Sequence, residues 1–212
     1  MSTTATTSTI ATIATAAPEH FTPVPLDKAY RLLNHGPTVL VSAAHAGQHN
    51  VMAAAWACAL DFAPPKVTLV LDKATRTREL VEASGEFALQ LPTVPMAAMT
   101  VAIGTDSAKT HPDKLQQHGV PLFHAPSHAS THISTHIPLV HGCAAWLLCR
   151  VIPEPHIQQT YDLFIGEVVA AWADERAFRH GHWEFDTAPD TLRTLHYVAG
   201  GQFYATGASV RV

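Results

Sequence analysis

The run YDLFIGEVVAAWAD, residues 161–174, limits the fold more than any other stretch. Glu167 is its only charge between Asp162 and Asp174. A strand with one wet face alternates apolar and polar residues; this one does not, so both of its faces require a cover. LVHGCAAWLLCRV, residues 139–151, is read as a second long strand of the same kind. Shorter strand patterns are TVLVSAAH (38–45), NVMAAAWACAL (50–60), KVTLVLD (66–72) and EFALQLP (86–92). HAGQH is the turn between the first two, and the prolines of DFAPP exclude a central strand there.

Helical patterns are few and short. LDKAYRLLNHGP sets Leu26, Tyr30 and Leu33 on one face and stops at Gly36-Pro37. ATRTRELVEASG closes on Ser84-Gly85, and PMAAMTVAIG and HPDKLQQHG also read as helices. Regular strand–helix alternation is missing, which rules out a doubly wound parallel sheet. The expected fold is mainly β with short helices, an antiparallel barrel with helical decoration.

Composition sharpens this. Charged residues are 14% of the 212, against about 25% in an ordinary domain, while hydrophobic residues reach 47%. So much apolar surface calls for a covering partner, and a second copy of the chain is the expected one. The net charge of −4 comes without a basic block, so nucleic acid and anionic membrane surfaces are not expected partners. No apolar run approaches the ~18 residues of a membrane span. Cys58, Cys143 and Cys149 are an odd number, which argues for a reducing compartment over a disulfide framework. The first 18 residues carry no charge and lack the pattern of a secretory or transit signal. Residues 1–22 are expected to be a disordered Thr/Ala-rich tail, 23–212 the folded domain, and the location cytoplasmic.

Two stretches carry chemistry. In LDKATRTREL a strand ends at Asp72, and Lys73, Thr75, Arg76, Thr77 and Arg78 follow as a helix begins. Unpaired helix N–H groups, hydroxyls and a forked guanidinium together suit a phosphate. The same residues also suit a plain helix cap with solvated charges. In NVMAAAW, the small Ala53, Ala54 and Ala55 would let a flat ring approach the backbone, with Asn50 and Trp56 on either side. Tight packing of strand against helix explains the alanines equally well.

Taken in order, GPTVLVSA, NVMAAAW, DFAPPKV, KATRTREL, GEFALQLP, IGTDSAKTHPDKL, GCAAWLLCRV, DLFIGEVVAAWAD and LHYVAGGQFYATG resemble the flavin reductase-like proteins. The likeness runs from about Leu26 to Gly207. It implies an FMN-binding split β-barrel and a homodimer with FMN in a groove near the interface. It also implies isoalloxazine contacts at Asn50, Met52, Ala53, Ala54 and Trp56, and phosphate contacts at Lys73, Thr75, Arg76 and Thr77. Pro92 would lie beside the ring, and Ser107 and Lys114 would help wall the pocket. The implied activity is NAD(P)H-dependent reduction of FMN, hydride passing from C4 of NADH or NADPH to N5 of the flavin. The reduced flavin would serve a separate monooxygenase component; the alternative is an FMN-binding electron carrier or sensor without turnover. No protein side chain need exchange a proton in that step, so no catalytic residue is assigned. Ala53 departs from the Thr or Ser common after the methionine in relatives.

His124, His128, His132 and His136 recur every four residues, with His141 beyond. Pro126 and Pro138 oppose a helix there, and no Asp or Glu lies between Val120 and Arg150 to orient the rings. The expected role is a pH-responsive loop near the pocket mouth, with no metal. His141 and Cys143 are expected on a strand, in packing or interface roles.

Overall fold

The computed structural model of the protein describes residues 36–124 and 137–212. The expected helix over Leu26–Leu33, the Thr/Ala-rich tail and His128, His132 and His136 lie outside the described residues.

Seven strands form one antiparallel sheet: β1 (Val39–His45), β2 (Gln48–Ala54), β3 (Ala57–Phe62), β4 (Pro65–Val70), β5 (Glu86–Leu91), β8 (Ala145–Ile152) and β9 (Leu163–Ala173). Their order across the sheet is β2-β1-β5-β8-β9-β4-β3. NVMAAAWACAL is therefore not one strand. It breaks at Ala55-Trp56 into β2 and β3, which form opposite edges of the sheet. Seven flat strands about 4.8 Å apart would hold those edges on the order of 30 Å apart. Three Cα steps from Ala54 to Ala57 reach at most about 11 Å. The sheet must roll so that its edges meet at this joint, yet no strand ladder pairs β2 with β3.

The rolled sheet has a core on each side. Inside, Val41, Leu69, Phe87 and Phe164 pack with Leu80 and Val81 of α1 (Arg76–Ser84). Gly166 makes room there: a Cβ on it would stand 2.6 Å from Phe87 Cζ. Outside, Leu40 and Val51 meet Ile103 of α2 (Ala97–Thr105). A third cluster covers the outer face of β8 and β9: Phe123 of β6 (Leu122–His124) and Leu139 of β7 (Pro138–Val140) pack with Leu148, Val169 and Trp172. The sequence treats LVHGCAAWLLCRV as one strand, but a turn at His141–Gly142 separates β7 from β8. His141 and Cys143 thus leave the strand; His141 stacks on Phe123 at 4.2 Å and Cys143 is buried.

Short elements complete the chain. Helix α3 (Lys114–Gln117) follows the 106–113 loop, and α4 (Pro155–Tyr161) links β8 to β9. Two small hairpins close it, β10 (Phe178–Arg179) with β11 (His182–Trp183) and β12 (Leu195–Ala199) with β13 (Gln202–Ala205). Among the described residues no helix is long and apolar enough to cross a membrane.

Candidate functional site

β2 ends the sheet, so alternate backbone N–H and C=O groups on its outer side meet no strand. The N-terminus of α1 and the C-terminal half of α2 flank it. Thr75 caps α1: its hydroxyl accepts from Arg78 N–H at 3.3 Å and donates to Asp72 O at 2.8 Å. Gly85 ends the helix at φ +71°, where its N–H reaches Val81 O. Asn50 on β2 is buried and donates through Nδ2 to the Thr77 hydroxyl at 2.9 Å. That bond fixes the edge strand to the helix start.

A cavity of about 250 Å3 opens at this junction, bordered by Asn50, Met52, Thr75, Arg76, Thr77, Ser107 and Lys114. Lys114 is 2% exposed. Its Nζ donates to Ile103 O at 2.7 Å and Asp106 O at 2.8 Å, carbonyls at the end of α2. An ammonium has three protons, so one is left beyond these two bonds. Desolvation lowers the Lys114 pKa to about 8, a poised cation beside the helix N-terminus. His118 Nε2 lies 2.7 Å from Asp106 and holds that carboxyl below its usual range. Arg76 binds Glu79 and Gln48, and Lys109 reaches the same Glu79 at 2.8 Å. Glu79 thereby ties the 106–113 loop to α1.

A second cavity, about 550 Å3, continues from Met52 and Thr75 along Ala53, Ala54 and Ala55 to Trp56, with Tyr161 and Tyr197 opposite. A third, about 440 Å3, lies between the alanines, α2 and the β12–β13 hairpin. Gly104 on α2 packs so closely that a Cβ on it would sit 3.0 Å from Ala53 Cβ. The small residues therefore serve helix packing as well as the open groove.

The sequence profile described as the flavin reductase like domain matches residues 31–202. The chain belongs to the flavin reductase-like family. It is 42% identical over 193 residues to an uncharacterized Escherichia coli K12 protein, YddH, spanning 90% of this chain and 97% of that one. It is 58% identical to the crystal structure of an FMN-binding domain of a flavin reductases-like enzyme from Shewanella baltica, with a TM-score of 0.78 over 89% of this chain and 95% of that one. Nitrilotriacetate monooxygenase component B of Bacillus cereus shares the fold at 17% identity, with a TM-score of 0.67 over 95% and 100% of the two chains.

Within this family fold, ten of the twelve residues that the sequence singles out border the two joined cavities along β2. Lys73 and Pro92 stand apart. Lys73 turns toward α4, where Nζ donates to Gln159 O at 2.5 Å. Pro92 is buried beyond the end of β5 and borders none of these cavities. Arg78 is a tie: its guanidinium donates to Leu71 O at 2.9 Å and Gln158 O at 2.7 Å, pairs with Asp162 and Glu82, and lies 5.2 Å from the Phe164 ring centre. Residues that the sequence does not single out are Thr38, Thr100, Tyr161 and Tyr197, which border the second or third cavity. Among the described residues, no three His, Cys, Asp or Glu side chains gather as a metal site.

Proposed function

We propose that this protein is an FMN-binding oxidoreductase that reduces FMN at the expense of NADH or NADPH, and that the rolled sheet is the split barrel of its family. The observation that carries the reading is the Asn50–Thr77 bond, which joins a free strand edge to a helix N-terminus in one groove. The residues present fit FMN. Thr75, Thr77 and the unpaired N–H groups of α1 offer neutral donors to a phosphate, and Arg76 and Lys114 offer charge. The outward backbone groups of β2 suit the polar edge of the isoalloxazine, and Met52, Ala53, Ala54 and Trp56 suit its flat body.

When bound, FMN supplies the hydride-accepting ring chemistry, and the nicotinamide is a transient donor. The chain's own part is positioning and electrostatics. Asn50 fixes the distance between ring platform and phosphate end. Lys114 and the N-terminus of α1 compensate the phosphate charge. Outward N–H groups of β2 favour negative charge on the pyrimidine edge. The second cavity is open beside Trp56, and that opening would let a nicotinamide approach the bound ring and be aligned for transfer.

A homodimer fits the same surface: Leu60 and Phe62 of the edge strand β3 are exposed, Phe62 at 92%. Three free thiols suit a reducing cytoplasm. The likeness to a monooxygenase component B supports delivery of reduced flavin to a separate oxygenase. The test is titration of the protein with FMN, followed by fluorescence quenching, then nicotinamide oxidation with free FMN in excess. One FMN per chain and steady oxidation is the expected outcome. Binding without oxidation makes the protein a carrier, and no binding overturns the reading.

A further inference from the structure

One carboxylate links the two walls of the cavity at the start of α1. Arg76 borders that cavity from the helix, and Asp106, Ser107 and Ala108 border it from the loop before α3. Glu79, one turn into α1, pairs through one carboxylate oxygen with Nη1 of Arg76. Its other oxygen lies 2.8 Å from Nζ of Lys109, the next residue of the loop. Gln48, the first residue of β2, accepts from Arg76 Nη2. Helix, loop and edge strand are thus joined through two side chains. Glu79 and Lys109 themselves do not border the cavity; they stand behind its wall.

A lone exposed ion pair contributes little, because solvent and side-chain freedom both oppose it. Here one carboxylate serves two cations on separate elements, and Lys109 first and Arg76 next hold its carboxyl below the usual range. A guanidinium carries five N–H donors. Glu79 and Gln48 take two of them, and three remain for a ligand. The partners therefore set the direction of Arg76 without using it up. Its side chain is 32% exposed, so without them the ligand would have to order it, at a cost in affinity.

We infer that Glu79 is a positioning residue, holding Arg76 and the 106–113 loop together across the phosphate end of the groove and so selecting a flavin monophosphate. The inference rests on the flavin reading above and deepens it. A phosphate monoester carries close to two negative charges, and it can meet Arg76 on one side and the third proton of Lys114 on the other. Riboflavin offers nothing to either cation. The inner phosphate of FAD is a diester with one charge, and its AMP has to leave past the joined walls. The cavity of about 250 Å3 cannot hold that AMP as well, being smaller than the roughly 300–1,000 Å3 usual for a whole ligand.

The test titrates FMN, riboflavin and FAD separately into the full chain by calorimetry, with Glu79→Ala, Glu79→Gln and Lys109→Ala beside wild type. Wild type should bind FMN about tenfold tighter than riboflavin and about a hundredfold tighter than FAD. Glu79→Ala should raise the FMN Kd about tenfold, leave the riboflavin Kd unchanged and narrow the gap between FMN and FAD. Lys109→Ala should act in the same direction with a smaller effect. Glu79→Gln keeps an acceptor for Arg76 and should recover part of the loss. Equal weakening of FMN and riboflavin would overturn the inference by making Glu79 a purely structural residue. Tighter FMN binding by Glu79→Ala would overturn it as well, since the carboxylate would then compete with the phosphate. A wild type that takes FMN no better than riboflavin or FAD sinks the inference and leaves the flavin groove standing. A wild type that takes no flavin refutes the flavin reading, and this inference with it.

Discussion

At the α1 end of β2, the buried polar side chains Asn50, Thr77, Arg78 and Lys114 each have a protein partner. At the hairpin end, Thr38 and Thr100 have none. The first region spends its polar groups on holding strand, helix and loop in register; the second keeps two of them uncommitted at a cost in stability. The contrast separates side chains that hold the groove together from buried hydroxyls left without a partner in the protein. Arg76 and Arg78 repeat it within one turn of helix: Arg78 is 3% exposed and fully engaged, while Arg76, among the described residues, reaches Glu79 and Gln48 near the surface.

The hardest blow to the first region is Arg78→Ala, which takes the guanidinium from Leu71 O and Gln158 O and leaves Asp162 with only the longer 3.6 Å contact to Lys73 among the described residues. It should cost about 3 kcal/mol or more, read by urea denaturation; a loss under about 1 kcal/mol would dissolve the distinction between the two arginines. Arg76→Ala should do the reverse. Stability should move by less than about 0.5 kcal/mol, while FMN binding, measured by fluorescence quenching, weakens by about 1.5–3 kcal/mol.

Lys114 gives a pH signature. Its pKa is lowered from 10.5 to about 8, so between those values the folded chain binds fewer protons than the unfolded one. Its contribution to stability therefore rises with pH across that window, and below it the fold carries a desolvated charge. A phosphate works the other way, favouring the ammonium. FMN affinity should fall as pH climbs through about 8, and Lys114→Met should flatten that dependence. A wild-type profile that is already flat would place the phosphate elsewhere. The mildest probe is Gly104→Ala, whose new Cβ meets Ala53 at 3.0 Å. A shift of about 1 kcal/mol in thermal stability is expected, with both the first and third cavities, which Gly104 borders, pinched.

Local chemistry was readable where a local rule decides the outcome. Gly85 as stop and the strand of residues 86–91 follow from capping and alternation alone, while the cap, which the sequence leaves between Thr75 and Thr77, is Thr75. The break at Ala55-Trp56 was not, because no Gly or Pro marks it; β3 is drawn to the far edge by pairing with β4, a tertiary choice that an apolar run conceals. The turn at His141–Gly142 did carry a signal. Gly142 sits at φ +94° against Met96 Sδ, and a glycine within a strand pattern is a warning of such a bend. Helix α4 also had its flag in Pro155 at the first helical position. In the site, Lys73 and Lys114 could not be ranked by sequence, since burial alone sets one inward and the other toward Gln159. Thr38 and Thr100 gave no sign at all; a lone threonine in a strand or helix is ordinary until its surroundings are known.

The register of β4 has a consequence for how the chain is made. Lys66 to Val70 pair with residues 163–167 of β9, about a hundred positions later. Until that strand leaves the ribosome, the β3–β4 hairpin has no neighbour on its inner side. Val67 and Leu69 of β4, buried in the finished fold, must wait in water while about a hundred residues are made, the interval in which unpaired apolar strands find wrong partners. The cavity between Trp56, Tyr161 and Tyr197 is consequently among the last parts of the molecule to exist, and no ligand can template it from the nascent chain.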